Sequence, residues 1–188
     1  SKVGEDLYPD LLRLLSKYDN IDKRGLIKVS QPNNRVHLQY FSPNERNEYS
    51  VYVLPPLRFD EFDFSMGLDL LYINFISGRE LRLQTIQKIR RNLSCEIYID
   101  FHSLSLGFRK NGLRYIRTFP NWREWLKCGD IVQMNEREGS ILFGKNFSTE
   151  KDYLSFAKEI ISNGSKIFLL TLGKEGSILF YLKNEKVE

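Results

Sequence analysis

The apolar positions change rhythm twice along the chain. Leu7, Leu11, Leu12, Leu14 and Leu15 recur at helical spacing behind Asp6, which reads as the N-cap. Pro9 suits the first turn of that helix, where a missing N–H leaves no bond unmade. The next stretch alternates. Val36, Leu38 and Tyr40 interleave with His37, Gln39 and Phe41, then Tyr49, Val51 and Val53 interleave with Ser50, Tyr52 and Leu54. The turn-rich link Ser42–Asn47 predicts that these are two antiparallel strands forming a ribbon over 34–54. Both ribbon faces carry apolar residues, so the ribbon is expected to cover something.

From residue 68 strands and helices take turns. Leu68–Phe75 is almost continuously apolar and predicts a central strand buried on both faces. A helix is predicted over Glu80–Leu93 and a strand over Glu96–Phe101, followed by a polar connection holding the turn dipeptide Asn111-Gly112. Asn121–Lys127 reads as a short helix with Trp122 and Trp125 as packing residues, and Ile131–Met134 as a further strand. Thr149, with Asp152 three residues on, caps a helix to Ile161 that Asn163-Gly164 closes. Strands over Ile167–Leu172 and Ser177–Leu182 end the pattern. Strands joined by helices imply right-handed crossovers. The expected fold class is α/β: a mostly parallel, Rossmann-like sheet with helices on both faces and a small antiparallel β unit. No repeat or linker interrupts it, so 1–188 reads as a single domain.

Composition narrows the function classes. Aromatic residues make up 13% of the chain, enough to build a core and to exclude disorder. No apolar run approaches the ~20 residues that cross a bilayer, and Ser1–Asp6 is too polar for a signal peptide. Cys95 and Cys128 are too few for a disulfide framework, which points to the cytoplasm. The net charge of +4 is spread along the chain, and its densest cluster, Lys88, Arg90 and Arg91, reads as a solvated helix face. No nucleic-acid or membrane partner is therefore expected. Cys95, Cys128, His37 and His102 match no zinc spacing.

Ligands of open α/β sheets bind beyond the carboxyl ends of the strands. Three predicted strand ends carry polar groups there. Asp100 and His102 follow one, Asn135, Glu136 and Glu138 a second, and Thr171, Gly173 and Gly176 a third. In Asn135-Glu136-Arg137-Glu138, an amide and a carboxylate three residues apart share the face of a first helical turn. They suit a phosphate oxygen and the water shell of Mg²⁺, or else simply cap the helix. In Thr171–Gly176, two glycines after a buried strand permit a tight turn close to a nucleotide, or else a plain hairpin.

In this order, N-x-x-E followed by T-x-G-x-x-G resembles the PfkB/ribokinase-like carbohydrate kinases. Cys128–Asn135 is similar to the family's "aDi…N" strand, and Val3-Gly4-Glu5-Asp6 with Leu11-Leu12 to its "vGxD…l" element, although Pro9 or its neighbours stand where a glycine is usual. The resemblance implies an ATP-dependent phosphotransferase acting on a hydroxyl of a sugar or nucleoside. It implies Asn135, Thr171, Gly173 and Gly176 around ATP, Glu138 on Mg²⁺ through water, and Asp100 toward the substrate. Segment 34–54 sits where the family places a β lid, through which a homodimer could form. The family's glycine-rich start would lie before Ser1, and its G-x-G-D segment, with the catalytic base, after Glu188. The chain is thus expected to be a central portion that is inactive alone. Cys128-Gly129-Asp130 is no substitute, because it precedes a strand instead of opening a helix. From a different class, a non-catalytic ligand-binding or regulatory module on the same fold is the alternative.

Overall fold

Burial alternates strictly along three pentapeptides. Ile97 and Ile99, Val132 and Met134, and Phe168 and Leu170 are fully buried, while the residues between them are only partly covered. Successive side chains of a strand point to opposite faces, so this period of two makes one sheet face the core. The computed structural model describes residues 1–42, 45–63, 67–119 and 121–188. Its main sheet has six strands: β5 (Leu70–Asn74), β6 (Glu96–Asp100), β9 (Ile131–Asn135), β10 (Ile167–Thr171), β11 (Ser177–Lys183) and β12 (Lys186–Val187), adjacent in that order. The first four run parallel and the last two turn back antiparallel.

Four helices feed the buried face: α2 (Leu83–Asn92) with Ile86 and Ile89, α3 (Trp122–Leu126), α4 (Glu136–Phe143) with Leu142, and α5 (Glu150–Ser162) with Phe156, Ala157 and Ile160. Trp125 meets the Phe75 ring edge-on at 5.2 Å, and Phe156 meets Phe168 the same way at 5.4 Å. Trp122 and Trp125 are packing residues, as the sequence predicts. Each such fully buried aromatic or aliphatic side chain stabilises the fold by roughly 1.5–3 kcal/mol.

On the opposite sheet face Leu70, Tyr72, Leu179 and Tyr181 are exposed. Leu68–Phe75, predicted as a central strand, supplies the edge strand β5, paired with β6 alone in the main sheet. An apolar run reports that residues can be buried, not how many strands flank them. Helix α2 starts at Leu83 instead of Glu80. The Glu80 carboxylate is engaged by the Ser77 and Arg79 amides, and Leu81 bridges to Leu57. No helix among the described residues is long and apolar enough to cross a membrane.

The amino-terminal part forms a short parallel pair, β1 (Lys2–Gly4) with β2 (Ile27–Val29), around α1 (Tyr8–Leu15). Neither strand is legible in the hydrophobic pattern, because each is only three residues long. Leu7, not Asp6, occupies the N-cap position, and no side chain caps the helix. Asp6 instead accepts from the Asn33 N–H at 2.7 Å and from Arg35 at 2.5 Å, while the Asn33 side chain accepts from the Gly4 N–H at 3.0 Å. These bonds fix the root of the ribbon formed by β3 (Arg35–Ser42) and β4 (Glu45–Tyr52). The ribbon is the predicted antiparallel unit, separate from the main sheet; positions 43–44 of its predicted turn lie outside the described residues.

The polar connection after β6 holds a second hairpin, β7 (Leu106–Phe108) with β8 (Arg114–Ile116), turning at Asn111-Gly112. It ties the ribbon to the body of the molecule. The Ser50 N–H donates to the Gly112 carbonyl at 2.9 Å, and Tyr49 bridges to Leu113. Arg114, with a side chain only 6% exposed, reaches Glu48 on the ribbon at 3.2 Å and the Ile76 carbonyl beyond β5 at 3.0 Å. Gly112 is required here twice over. Its φ is +83°, and an added Cβ would lie 2.5 Å from the Ser50 carbonyl oxygen. Gly112→Val is therefore expected to destabilise the chain by about 1–3 kcal/mol and to strip hydrogen-exchange protection from the Ser50 amide. Unchanged exchange at Ser50 would show that this contact does not hold the ribbon.

Candidate functional site

The strand ends meet at one edge. Asn74 lies opposite Asp100, Asp100 opposite Gln133, and Asn135 opposite Thr171 in the ladder. Strand parity also places Asn74, Asp100, Asn135 and Thr171 on the same, less buried sheet face. Asp100, Asn135 and Thr171 were singled out in the sequence. Asn74 was missed, although it ends an apolar strand just as they do.

Asp100 is the hub of a polar network. Gln133 Nε2 donates to its Oδ2 at 3.2 Å, the Tyr72 hydroxyl reaches the same oxygen at 3.5 Å, and Tyr98 donates to the Gln133 side-chain carbonyl. Burial raises the Asp100 pKa above the ordinary carboxylate value, against the opposing influence of His102. Next to it, the buried Oδ1 of Asn74 has no hydrogen-bond partner among the described residues.

Asn135 and Glu138 close a reciprocal cap on α4. The Asn135 side chain accepts from the Glu138 N–H at 2.9 Å, while the Glu138 carboxylate accepts from the Asn135 N–H at 2.9 Å and its Nδ2 at 2.6 Å. The capping role is thus real. It does not make Glu138 ordinary, because burial, aided by the nearby Asp100 charge and opposed by the Asn135 bonds, pushes its pKa to about 7. His102, held at a left-handed φ of +27°, brings Nδ1 to 3.9 Å from the same carboxylate.

Thr171–Gly176 forms the hairpin turn between β10 and β11. Leu172 N–H donates to the Gly176 carbonyl at 2.8 Å, and Thr171 pairs with Ser177. Gly173 and Gly176 have φ of +61° and +96°, and a Cβ at either would touch nothing within 4 Å. Both glycines answer to backbone conformation, and the space beside them is open.

Two other candidates fall away. Asp130 sits at the opposite, amino edge of the sheet, where it binds the Ile97 N–H, Arg90 and Lys166. Burial works against its ionised form, but these partners outweigh it and lower its pKa. Cys128 is buried, its thiol pushed up to about 11 by desolvation, and no cluster of three or more His, Cys, Asp or Glu that could hold a metal occurs among the described residues.

A parallel sheet with this strand-end constellation marks a ligand-binding α/β protein, and the comparisons specify which. A profile of the pfkB family carbohydrate kinases matches residues 79–188, more than half of the chain. The chain belongs to the pfkB family of carbohydrate kinases. Among solved structures it resembles a pyrophosphate-dependent kinase of the ribokinase family in a sulfate complex, with a TM-score of 0.74, 21% identity, and coverage of 96% of this chain and 60% of that one. It also resembles ribokinase from Thermotoga maritima (TM-score 0.67, 20% identity, 98% and 56%). Arabidopsis thaliana ribokinase complexed with ribose and ATP is comparable (TM-score 0.66, 19% identity, 100% and 58%). These likenesses define the fold. The chain spans about three fifths of the length of these structures. A search of curated proteins finds no match.

The Glu138 shift has a stability consequence. A carboxyl whose folded pKa is raised from 4.5 to about 7 contributes stability that is complete below pH 4.5 and lost as pH rises through 7. Glu138→Gln, which keeps a cap acceptor, is expected to be more stable than the parent at pH 8 by about 2–3 kcal/mol, the gap shrinking toward pH 5. Thermal melts of both proteins across that range test it; a constant difference would refute the shifted carboxyl.

Proposed function

We propose that this chain provides the donor side of an ATP-dependent kinase that phosphorylates a hydroxyl of a sugar or nucleoside. The observation that carries the reading is the shared edge at which Asp100, the Asn135–Glu138 cap and the Thr171–Gly176 turn converge on one sheet face. In this reading 1–188 is a ribokinase-like domain and 34–54 its β lid. A cytoplasmic setting goes with it, supported by the free thiols of Cys95 and Cys128.

The residues fit the groups the family implies. Asp100 and Glu138 are hard oxygen donors; burial, aided by the nearby Asp100 charge, raises the Glu138 pKa, a situation a divalent cation relieves. Mg²⁺ characteristically keeps several waters and shares its remaining positions with phosphates, so few protein carboxylates need reach it. When bound, Mg²⁺ supplies charge neutralisation to phosphoryl transfer. Glu138 orients water toward it, and Asn135 offers its amide to a phosphate oxygen on release from the cap. The open space beside Gly173 and Gly176 accommodates a nucleotide against Thr171. Asp100, tethered by Gln133, faces the acceptor side.

Calorimetry of the chain with ATP and Mg²⁺ tests this assignment. Weak, Mg²⁺-dependent binding is expected, reduced at least ~10-fold, the loss of one charge-assisted contact, in Asn135→Ala and Glu138→Ala and by the introduced side chain in Gly173→Val. Equal binding by all variants would remove the site, and binding of pyrophosphate in place of ATP would replace the nucleotide.

The ribbon supports a homodimer in the same reading, since Val36, Leu38, Tyr40, Phe41 and Val51 are exposed. Sedimentation should show a dimer that Leu38→Asp weakens; a strict monomer would refute the association.

A further inference from the structure

A groove of about 640 Å³ lies on the flank of α4. Arg117 and Thr118, from the segment after β8, form one wall. Arg137, Ser140 and Glu136 of α4 form another, and Asn146 and Phe147 close the end. Among the described residues, no hydrogen bond or ion pair engages the side chains of Arg117, Thr118, Arg137, Ser140 or Asn146.

Three other arginines have carboxylate partners, which Arg117 and Arg137 lack among the described residues. Arg90 pairs with Asp130, Arg114 with Glu48 and Arg123 with Glu159. Two guanidiniums lining one concavity offer a charge-assisted, forked donor set that an anion can accept from. Arg117 is also not loose at its base, since its N–H donates to the Ser105 carbonyl at 2.9 Å, and Arg137 stands on the first turn of a helix. Glu136, the single carboxylate in the lining, is held by the Tyr153 hydroxyl. It gives the groove one negative wall against two positive groups.

From this arrangement we infer a second ligand site on α4, one that takes a phosphate monoester of a small polyhydroxy molecule. The two guanidiniums hold the phosphate. The Thr118 and Ser140 hydroxyls and the Asn146 amide add hydrogen bonds, and Glu136 accepts from the ligand's hydroxyl groups. The site is distinct from the nucleotide edge, and its occupancy does not depend on that assignment. Arg137 lies between Asn135 and Glu138 in sequence, so a ligand here contacts the turn that carries the cap.

The test is calorimetric titration of the 188-residue chain with inorganic phosphate, glucose 6-phosphate and glucose. Glucose 6-phosphate should bind more tightly than phosphate, and glucose should not bind. Arg117→Ala and Arg137→Ala, both at exposed positions that leave the core intact, should each weaken glucose 6-phosphate by at least ~10-fold, while Arg91→Ala, an equal change of charge on α2, should not. Glu136→Gln should erase the advantage of glucose 6-phosphate over phosphate. Gly173→Val should leave this binding unchanged, separating it from the nucleotide site. Equal binding by Arg91→Ala, Arg117→Ala and Arg137→Ala, or loss of phosphate binding in Gly173→Val alone, would overturn the proposal.

Discussion

Everything at the candidate site rests on the period of two in β6, β9 and β10. Burying Ile97 and Ile99, Val132 and Met134, and Phe168 and Leu170 against the helices leaves no freedom for the residues between them. They must face the other side of the sheet. Because the three strands run parallel with fixed registers, Asp100, Asn135 and Thr171 emerge at the same edge and on the same sheet face, Asp100 two residues short of Asn135. A one-residue slip of β9 would turn Asn135 into the core and Met134 out of it. The apolar burial that stabilises the sheet therefore also sets the geometry of its polar rim.

The Asn135–Glu138 pair shows how that rim combines structure with reactivity. The same carboxylate that accepts two Asn135 bonds is buried enough to sit at a pKa of about 7, beside the partly buried Asp100. A helix cap on the surface holds an ionised carboxylate comfortably. Here the dry surroundings make ionisation costly, and that cost is what gives a cation something to relieve.

The ribbon is governed by a second set of contacts, all made outside the main sheet. Asp6, Asn33 and Arg35 anchor its root, and the β7–β8 hairpin holds its middle through Gly112 and Arg114. Its position over the body is thus a matter of a few directional bonds, since both of its faces carry exposed apolar side chains and neither is packed into the core.

Much of this was legible from residue order. Helical spacing located α1, capping and stop signals located α5, alternation located the ribbon, and polar groups at predicted strand ends picked out Asp100, Asn135, Glu138 and Thr171. These are local properties: period, capping and turn chemistry act between residues a few positions apart. What lay beyond reach involves distant partners. The sequence could not tell that Leu68–Phe75 forms an edge, since an apolar strand reads alike whether one neighbour flanks it or two. Nor could it tell that Asp6 binds Asn33 and Arg35 instead of capping α1, or that Arg114 joins Glu48 to the Ile76 carbonyl. Asn74 was hidden for the same reason, being significant only as the ladder partner of Asp100. The protein's elements follow from its local chemistry; which of them touch is decided by the closing of the sheet and its core, where residues far apart in the chain compete for the same few contacts.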